Sequence, residues 1–392
     1  MTEVVILSAA RTPIGKFGGA LAGVSAVELG AIAAKAAIQR AGIAPERLDQ
    51  AIFGNVLQAN SGQNVARQIA LKAGLTTDST AMTINEVCGS GLKAVRLGQS
   101  AILLGDADAV LVGGTENMSQ APFYAPQQRF GHKFGDVAFV DGLARDGLSD
   151  AFTGLPMGVT AENVAEQFSV TREQQDRFAL ASHQKAVAAQ QAGAFDAEIT
   201  PVTVTTRKGD ILVAADEGPR PDTDLTKLGK LKPAFKPEGT VTAGNASGIN
   251  DGAAALILMR KDLADAQGLP YLAVIDGYNE GGIDPNFMGY APKRVIEKLL
   301  KRTATAMSGI DLIEINEAFA AQSIAVAKEL ELDQSKLNVN GGAIALGHPL
   351  GASGARVLTT LLYALRSREA QTGIAALCVG GGIGVAMQVS RP

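Results

Sequence analysis

The sequence predicts an α/β fold built from two related halves. Two observations carry that expectation. Short apolar runs of strand length alternate with longer stretches of helical period, and glycine or proline closes most of them. In addition, one order of parts occurs twice along the 392 residues: strand, turn, a helix opened by Ser-Gly, strand, paired glycines. At 46% hydrophobic residues the chain is long and apolar enough for two cores.

Taken in order, residues 4–8 read as a short buried strand, and residues 26–40 have helical periodicity that stops at Gly42. Residues 50–53 form a second strand. Residues 62–73 form a helix ended by Gly74, and residues 80–85 run extended toward Cys88. Residues 91–104 carry small and apolar side chains on most faces, which predicts a buried helix. Residues 109–113 are a strand stopped by Gly113-Gly114. The C-terminal part repeats this grammar. Residues 310–316 echo 48–55, Ser353-Gly354 opens a helix through Leu365 as Ser90-Gly91 opens the earlier one, and residues 375–381 match 109–114. Residues 336–339 read as a strand ahead of His348. Each half is expected to have its own sheet.

The division expected is an N-terminal half of residues 1–117 with 250–270, a C-terminal half of 271–392, and an inserted loop domain over 118–249. In the insertion, residues 120–154 are rich in Pro, Gly, Phe and mixed charge. Residues 160–193 read as a helical pair with capped starts at Thr160 and Thr171. Residues 200–240 read as irregular and become lysine-rich. Long insertions in compact domains are commonly functional.

Composition excludes several classes. A net charge of −4 argues against a general nucleic-acid binder. Two cysteines cannot build a disulfide framework, and neither has the CxxC spacing of a zinc site. The first residues lack a basic segment followed by a long apolar core, and residues 374–387 are too short and glycine-rich to span a bilayer. A soluble cytoplasmic protein with reduced thiols is expected, with no metal.

Two thiols and one imidazole then stand out, each in glycine-rich surroundings: Asn85-Glu86-Val87-Cys88-Gly89-Ser90-Gly91, Gly347-His348-Pro349, and Cys378-Val379-Gly380-Gly381-Gly382. Glycine permits close backbone approach and offers unobstructed N–H donors. Cys88 falls at a helix N-terminus, where the dipole lowers a thiol's pKa from about 8.5. A free cysteine is also often simply a small buried hydrophobe. His348, in a loop of special backbone residues, is a candidate base. Cys378 ends a strand just before three glycines whose N–H groups could hold an oxyanion, although a strand-end cysteine in an apolar run is usually core. Asn316, in Asn316-Glu317-Ala318-Phe319, orients a water or caps a helix. Arg220, Lys227, Lys230, Lys232 and Lys236 form a cationic stretch suited to a polyanionic ligand or to plain solvation.

These blocks, with Asn338-Val339-Asn340-Gly341-Gly342-Ala343-Ile344-Ala345-Leu346-Gly347-His348-Pro349, resemble the four catalytic blocks of the thiolases. The resemblance runs from Arg11-Thr12-Pro13 to Gly384-Val385-Ala386-Met387, and the biosynthetic acetyl-CoA acetyltransferases look most similar. It implies a five-layered α-β-α-β-α fold and reversible condensation of two acetyl-CoA to acetoacetyl-CoA and CoA. Thiolysis of longer or unusual 3-ketoacyl-CoA substrates is the alternative. A ketoacyl synthase fits less well, because of the cysteine in the terminal block, and a non-catalytic CoA or lipid carrier fits least.

The resemblance also implies roles. Cys88 would take the acyl group, His348 would activate it, and Cys378 would remove the α-proton of the second acetyl-CoA. Asn316, through a water, and His348 would hold the thioester oxygen, while the N–H groups of Cys88 and Gly380 would form a second oxyanion hole. Leu148, Met157, Arg220, Ala234, Phe235, Ala243, Ser247, Met288, Ala318 and Phe319 would line the CoA and acyl pockets. No cofactor is implied, since CoA is substrate and product. Family members are homodimers or homotetramers, and residues 120–142 resemble a tetramer-forming loop. Two departures from the short-chain pattern stand out: Pro156 where a histidine is usual, and Ala291 in Met288-Gly289-Tyr290-Ala291-Pro292.

Overall fold

A buried extended run must satisfy its backbone by pairing. In the structure, a computed structural model that describes residues 2–392, the first such run is β1 (Val4–Arg11). It outlasts the expected strand because residues 9–11 go on pairing with residues 254–256. The two-residue β2 (Gly15–Lys16) follows. α1 (Ala26–Ala41) starts where Ser25 accepts the N–H of Glu28 and ends at Gly42, whose φ of 68° suits glycine. Next come β3 (Gln50–Gly54), α2 (Val65–Ala73, capped by Asn64), β4 (Thr80–Ile84), α3 (Ser90–Leu104) and β5 (Ala109–Asn117). Gly113-Gly114 do not stop β5. A Cβ on Gly113 would meet the carbonyl of Ala254, and one on Gly114 the carbonyl of Gly351. These glycines admit close neighbours inside a continuing strand.

The middle of the chain holds β6 (Phe123–Tyr124), β7 (Val140–Asp141), α4 (Met157–Gln167), α5 (Arg172–Gln191), β8 (Val202–Thr206), β9 (Gly209–Val213) and α6 (Leu225–Gly229). Thr171 caps α5 with a full capping box, as expected. Thr160 caps nothing: α4 already begins at Met157, and the Thr160 hydroxyl donates to the Met157 carbonyl, 2.7 Å. The supposedly irregular stretch contains the β8–β9 hairpin. Arg11 of β1 pins this region. Its buried guanidinium donates to Glu198 at 2.6 Å and to both carboxylate oxygens of Asp216 at 2.7 and 2.9 Å.

β10 (Asn250–Arg260) and α7 (Lys261–Ala266) lead to the second half: β11 (Ala273–Gly282), α8 (Ala291–Thr303), β12 (Leu312–Ile315), α9 (Ala320–Glu329), the short α10 (Ala343–Leu346), α11 (Leu350–Ser367), β13 (Thr372–Val379) and β14 (Ile383–Ser390). α11 starts at Leu350, ahead of the expected Ser353. Residues 336–339 form no strand. A single bridge joins Leu337 to Ile313, and the Asn338 side chain replaces ladder bonds by accepting from the N–H of Ile315 and donating to its carbonyl, both 2.9 Å.

Ten strands form one sheet in the order β12-β13-β14-β11-β1-β10-β5-β3-β4, with β2 on β10. The expectation of a separate sheet per half is thus corrected. The join is narrow, because β1 meets β11 through only Val5↔Val274 and Ile6↔Ala273. On either side the pattern repeats: β3 and β12 run parallel to β5 and β13, while β10 and β14 run antiparallel to them. α1 and α2 cover the outer face of the first part, and α8 covers that of the second. α3 and α11 lie between, touching strands of both parts around the largest apolar cluster. The five layers follow.

The α3–α11 crossing depends on missing side chains. A Cβ on Gly91 would sit 2.6 Å from the Ala355 nitrogen, and one on Gly354 would sit 3.0 Å from the Leu92 Cα. Gly354→Ala is expected to destabilise the fold by about 1–3 kcal/mol through overpacking. Gly23→Ala, with nothing within 4 Å of its Cβ, is expected to be neutral. Thermal melting of the two variants checks the contrast.

Candidate active site

Three glycine-rich turns converge where the two halves face each other. The first follows β4. Val87 sits at φ 45°, an unfavourable position for a β-branched residue, and three hydrogen bonds hold it there. Asn85 Oδ1 accepts from the Val87 N–H at 2.9 Å, Ser90 Oγ accepts from the Glu86 N–H at 2.8 Å, and the Ser90 hydroxyl donates to the Val87 carbonyl at 2.7 Å. Cys88 comes next, directly before Gly89 and α3. Its sulfur is within reach of its own N–H and that of Gly380.

The expectation of a lowered Cys88 pKa is corrected. Burial pushes the thiol up to about 11, the two N–H groups pull it down less, and the carboxylate of Glu116 adds to the rise. Helix-end potential is worth little against full desolvation. On the order of one thiol in ten thousand is ionised at pH 7, so Cys88 needs a base.

His348 stands on the second turn, 5% exposed. Its N–H donates to Asn250 Oδ1 at 2.9 Å, and Gly347 (φ 114°) leaves the Asn250 side chain room. Nδ1 lies 2.5 Å from Ser353 Oγ, whose own proton goes to the Pro349 carbonyl at 2.9 Å. The serine therefore accepts from Nδ1–H, which leaves the lone pair on Nε2. Burial, and next the Arg356 charge, lower the His348 pKa to about 3, so the ring is neutral near pH 7. Asn316 Nδ2 sits 3.4 and 3.5 Å from the two ring nitrogens, and its Oδ1 faces Arg356 Nη2 at 3.5 Å.

The third turn follows Cys378, the next-to-last residue of β13. Cys378 is 1% exposed, packed with Met288 and Ala318. Burial first, then the charge of Cys88, push its thiol far up, so the two sulfurs are close enough to feel each other. Their turns touch, since a Cβ on Gly89 would lie 2.8 Å from Val379 Cγ2. Gly381 and Gly382, at φ 86° and 82°, let the chain reverse beside them.

A cavity of about 380 Å³ opens here with Cys88, His348 and Gly380 in its lining. Met157, Met288, Ala318 and Phe319 pack together in its lining, and Leu148 packs on the Cys88 side. Ala234, Phe235, Ala243 and Ser247 complete it. Asn316 and Cys378 stand behind this lining, in contact with it. Arg220 does not join it. Arg220 borders a separate depression beside His183, where its N–H donates to His183 Nδ1 at 3.2 Å. Lys227, from the cationic stretch, is ion-paired with Asp222 at 2.8 Å. Pro156 lines the cavity, whereas Ala291 is buried against Gly384 and does not. Asn250 and Ser353 hydrogen-bond His348 but were absent from the expected set. Ser353 alone had a signal, the repeated Ser-Gly helix start.

Among the described residues, no group of three or more His, Cys, Asp or Glu could hold a metal ion, and no helix is long and apolar enough to cross a membrane. The arrangement offers a buried thiol, a neutral imidazole with a free lone pair, a second buried thiol, and backbone donors beside the first. Such a set can pass an acyl group through sulfur and move protons without exposing either step to water.

Known proteins resemble this chain along its whole length. The model of the thiolase N-terminal domain matches residues 4–262, and that of the thiolase C-terminal domain matches 269–391. A probable acetyl-CoA acyltransferase of Staphylococcus aureus is 53% identical over all of both chains, and an acetyl-CoA acetyltransferase of Cupriavidus necator is 54% identical, also over all of both. The crystal structure of a Bacillus anthracis acetyl-CoA acetyltransferase superposes with a TM-score of 0.98, at 44% identity, over 100% of this chain and 99% of that one. Human mitochondrial 3-ketoacyl-CoA thiolase gives 0.97, at 44% identity and the same coverage. The chain belongs to the thiolase family of acyltransferases.

Proposed function

We propose that this thiolase is an acetyl-CoA C-acetyltransferase, condensing two acetyl-CoA to acetoacetyl-CoA and CoA in a reversible reaction. The observation that carries the proposal is that the Cys88 thiol and His348, both held neutral by burial, line one cavity, with the imidazole's lone pair on Nε2.

Cys88 sulfur attacks the thioester carbonyl as its proton passes to His348 Nε2. The developing oxyanion is held by the N–H groups of Cys88 and Gly380, each such donor being worth about 3–4 kcal/mol. The CoA sulfur leaves with the proton of Cys378, giving acetyl-Cys88, a Cys378 thiolate and a protonated His348. A thiolate in this apolar setting is unusually basic, because burial favours its protonated form. It takes the α-proton of the second acetyl-CoA. His348 Nε2–H and Asn316, through a water, hold the enolate oxygen. The enolate carbon attacks acetyl-Cys88, and Cys88 departs as His348 returns its proton. Atoms and charge balance with protein groups alone, so CoA enters as substrate and product and the proposal needs no cofactor.

The insertion over 118–249 is assigned to CoA binding, since Leu148, Met157, Ala234, Phe235, Ala243 and Ser247 come from it. Cytoplasmic action belongs to the same proposal, supported by two free thiols that the chemistry requires reduced. So does assembly as a homotetramer, supported by Phe130 and Phe134, each 97% exposed in the loop over 120–142. A second possibility, thiolysis of longer 3-ketoacyl-CoA substrates, is favoured by Pro156 in the cavity lining. A series of acyl lengths compared by kcat/KM separates the two.

Acetyl-CoA is expected to add an acetyl group to wild type at Cys88, and Cys88→Ala is expected to lose thiolysis of acetoacetyl-CoA. Turnover retained in that variant sinks the assignment. His348→Asn is expected to lower kcat by about 10²–10⁴-fold, the usual worth of a general base. Thiolate absorbance should show neither cysteine ionising between pH 6 and 9, given an upward shift to about 11 for Cys88 and a larger one for Cys378. A thiolate–imidazolium pair already formed at pH 7 contradicts this.

A further inference from the structure

The sheet register relates the reaction centre to a second location in the same chain. β3 runs parallel to β5 with Gly54 beside Gly114, and β12 runs parallel to β13 with Ile315 beside Ala376. One residue beyond the first member of each pair stand Asn55 and Asn316. Two beyond the second stand Glu116 and Cys378. The antiparallel neighbours agree: β10 sets Gly252 against Glu116, and β14 sets Gly384 against Cys378. At the helix crossing Gly91 meets Ala355 while Gly354 meets Leu92, so the first turns of α3 and α11 are also related. Ser90 then corresponds to Ser353, and Cys88 to Gly351.

Glu116, Asn55 and Gly351 therefore occupy the places that Cys378, Asn316 and Cys88 hold in the other half. Where the reaction centre has a pit, this location is filled. Glu116 is fully buried, and each carboxylate oxygen accepts two N–H groups. Oε1 accepts from Asn55 Nδ2 at 2.8 Å and Leu57 N at 3.0 Å, and Oε2 from Val56 N at 3.0 Å and Gly351 N at 2.7 Å. Val56 and Leu57 pack with Cys88 and Leu350, and Gly351 lies three residues after His348. A Cβ on Gly351 would stand 2.8 Å from both Asn55 Cα and Glu116 Oε2, so the segments are pressed together.

We propose that Glu116 is a positioning residue for the reaction centre. By accepting these four N–H groups it fixes the first turn of α11, and with it His348, against the Val56–Leu57 wall beside Cys88. The proposal rests on the roles assigned above to Cys88 and His348. Burial, partly offset by the backbone donors, raises the Glu116 carboxyl to about 7. Asp251 of β10 and Cys88 ahead of α3 are the titratable groups coupled to its charge, and His348 lies nearby in the chain.

The test compares acetyl-CoA condensation by wild type, Glu116→Gln and Glu116→Asp. An amide nitrogen in place of either oxygen faces two N–H donors and accepts from neither. Glu116→Gln is expected to lower kcat on the order of 10²-fold, the cost of a misplaced catalytic group, with KM little changed. Glu116→Asp should recover part of that loss. Wild-type kcat is expected to fall as pH drops through about 7 and Glu116 takes a proton, and the Gln variant is expected to lack that fall. Folded Glu116→Gln with wild-type kcat and wild-type pH dependence overturns the proposal. If that variant does not fold, Asn55→Ala decides: a lower kcat at unchanged KM supports the role, and an unchanged kcat overturns it. Absence of an acetyl adduct on wild-type Cys88 overturns the reaction itself. An adduct on wild type beside an unaffected Gln variant overturns only the role of Glu116.

Discussion

Exclusion of water from the point where the two halves meet is the constraint on which this structure depends. Two thiols and one imidazole stand there uncharged, each because burial penalises its charged form more than any neighbour favours it. A resting ion pair would carry a desolvation cost throughout the catalytic cycle. Neutral groups avoid that cost and acquire charge only as substrate bonds change. The pre-set polar elements are backbone N–H groups, the Ser353 hydroxyl and the Asn316 amide, none of which needs ionising.

Keeping that point dry and crowded requires close backbone approach, and glycine provides it. Gly91 and Gly354 let α3 and α11 touch, Gly113 and Gly114 let β5 pass under neighbouring carbonyls, and Gly347 admits the Asn250 side chain behind the imidazole. The apolar cluster around α3 and α11 draws on strands from both halves, so the burial that stabilises the fold also seals the chemistry. Val87, at an unfavourable φ, and the Glu116 clamp show the local cost of holding three turns from distant parts of the sequence in register.

Much of this was legible in the sequence. The repeated order of strand, turn, Ser-Gly helix and strand announced two related α/β parts, and the scarce cysteines and His348 stood out in glycine-rich turns. What stayed hidden depends on environment, which a linear pattern does not record. A helix-start cysteine looked acidified because local dipole is visible in sequence and desolvation is not. Gly113-Gly114 looked like a strand end because a breaker and a close-packing site share one letter. Asn250 and Glu116 gave no signal at all, being single polar residues whose partners lie far along the chain. Arg220 was expected at the cavity, yet its neighbour is His183.

The narrow join between β1 and β11 has a mechanical consequence. Two residue pairs span it, whereas seven join β1 to β10. Elastic compliance concentrates where cross-links are fewest. The backbone thus ties the two halves together only weakly here, and the side chains packed around α3 and α11 carry most of the attachment between them.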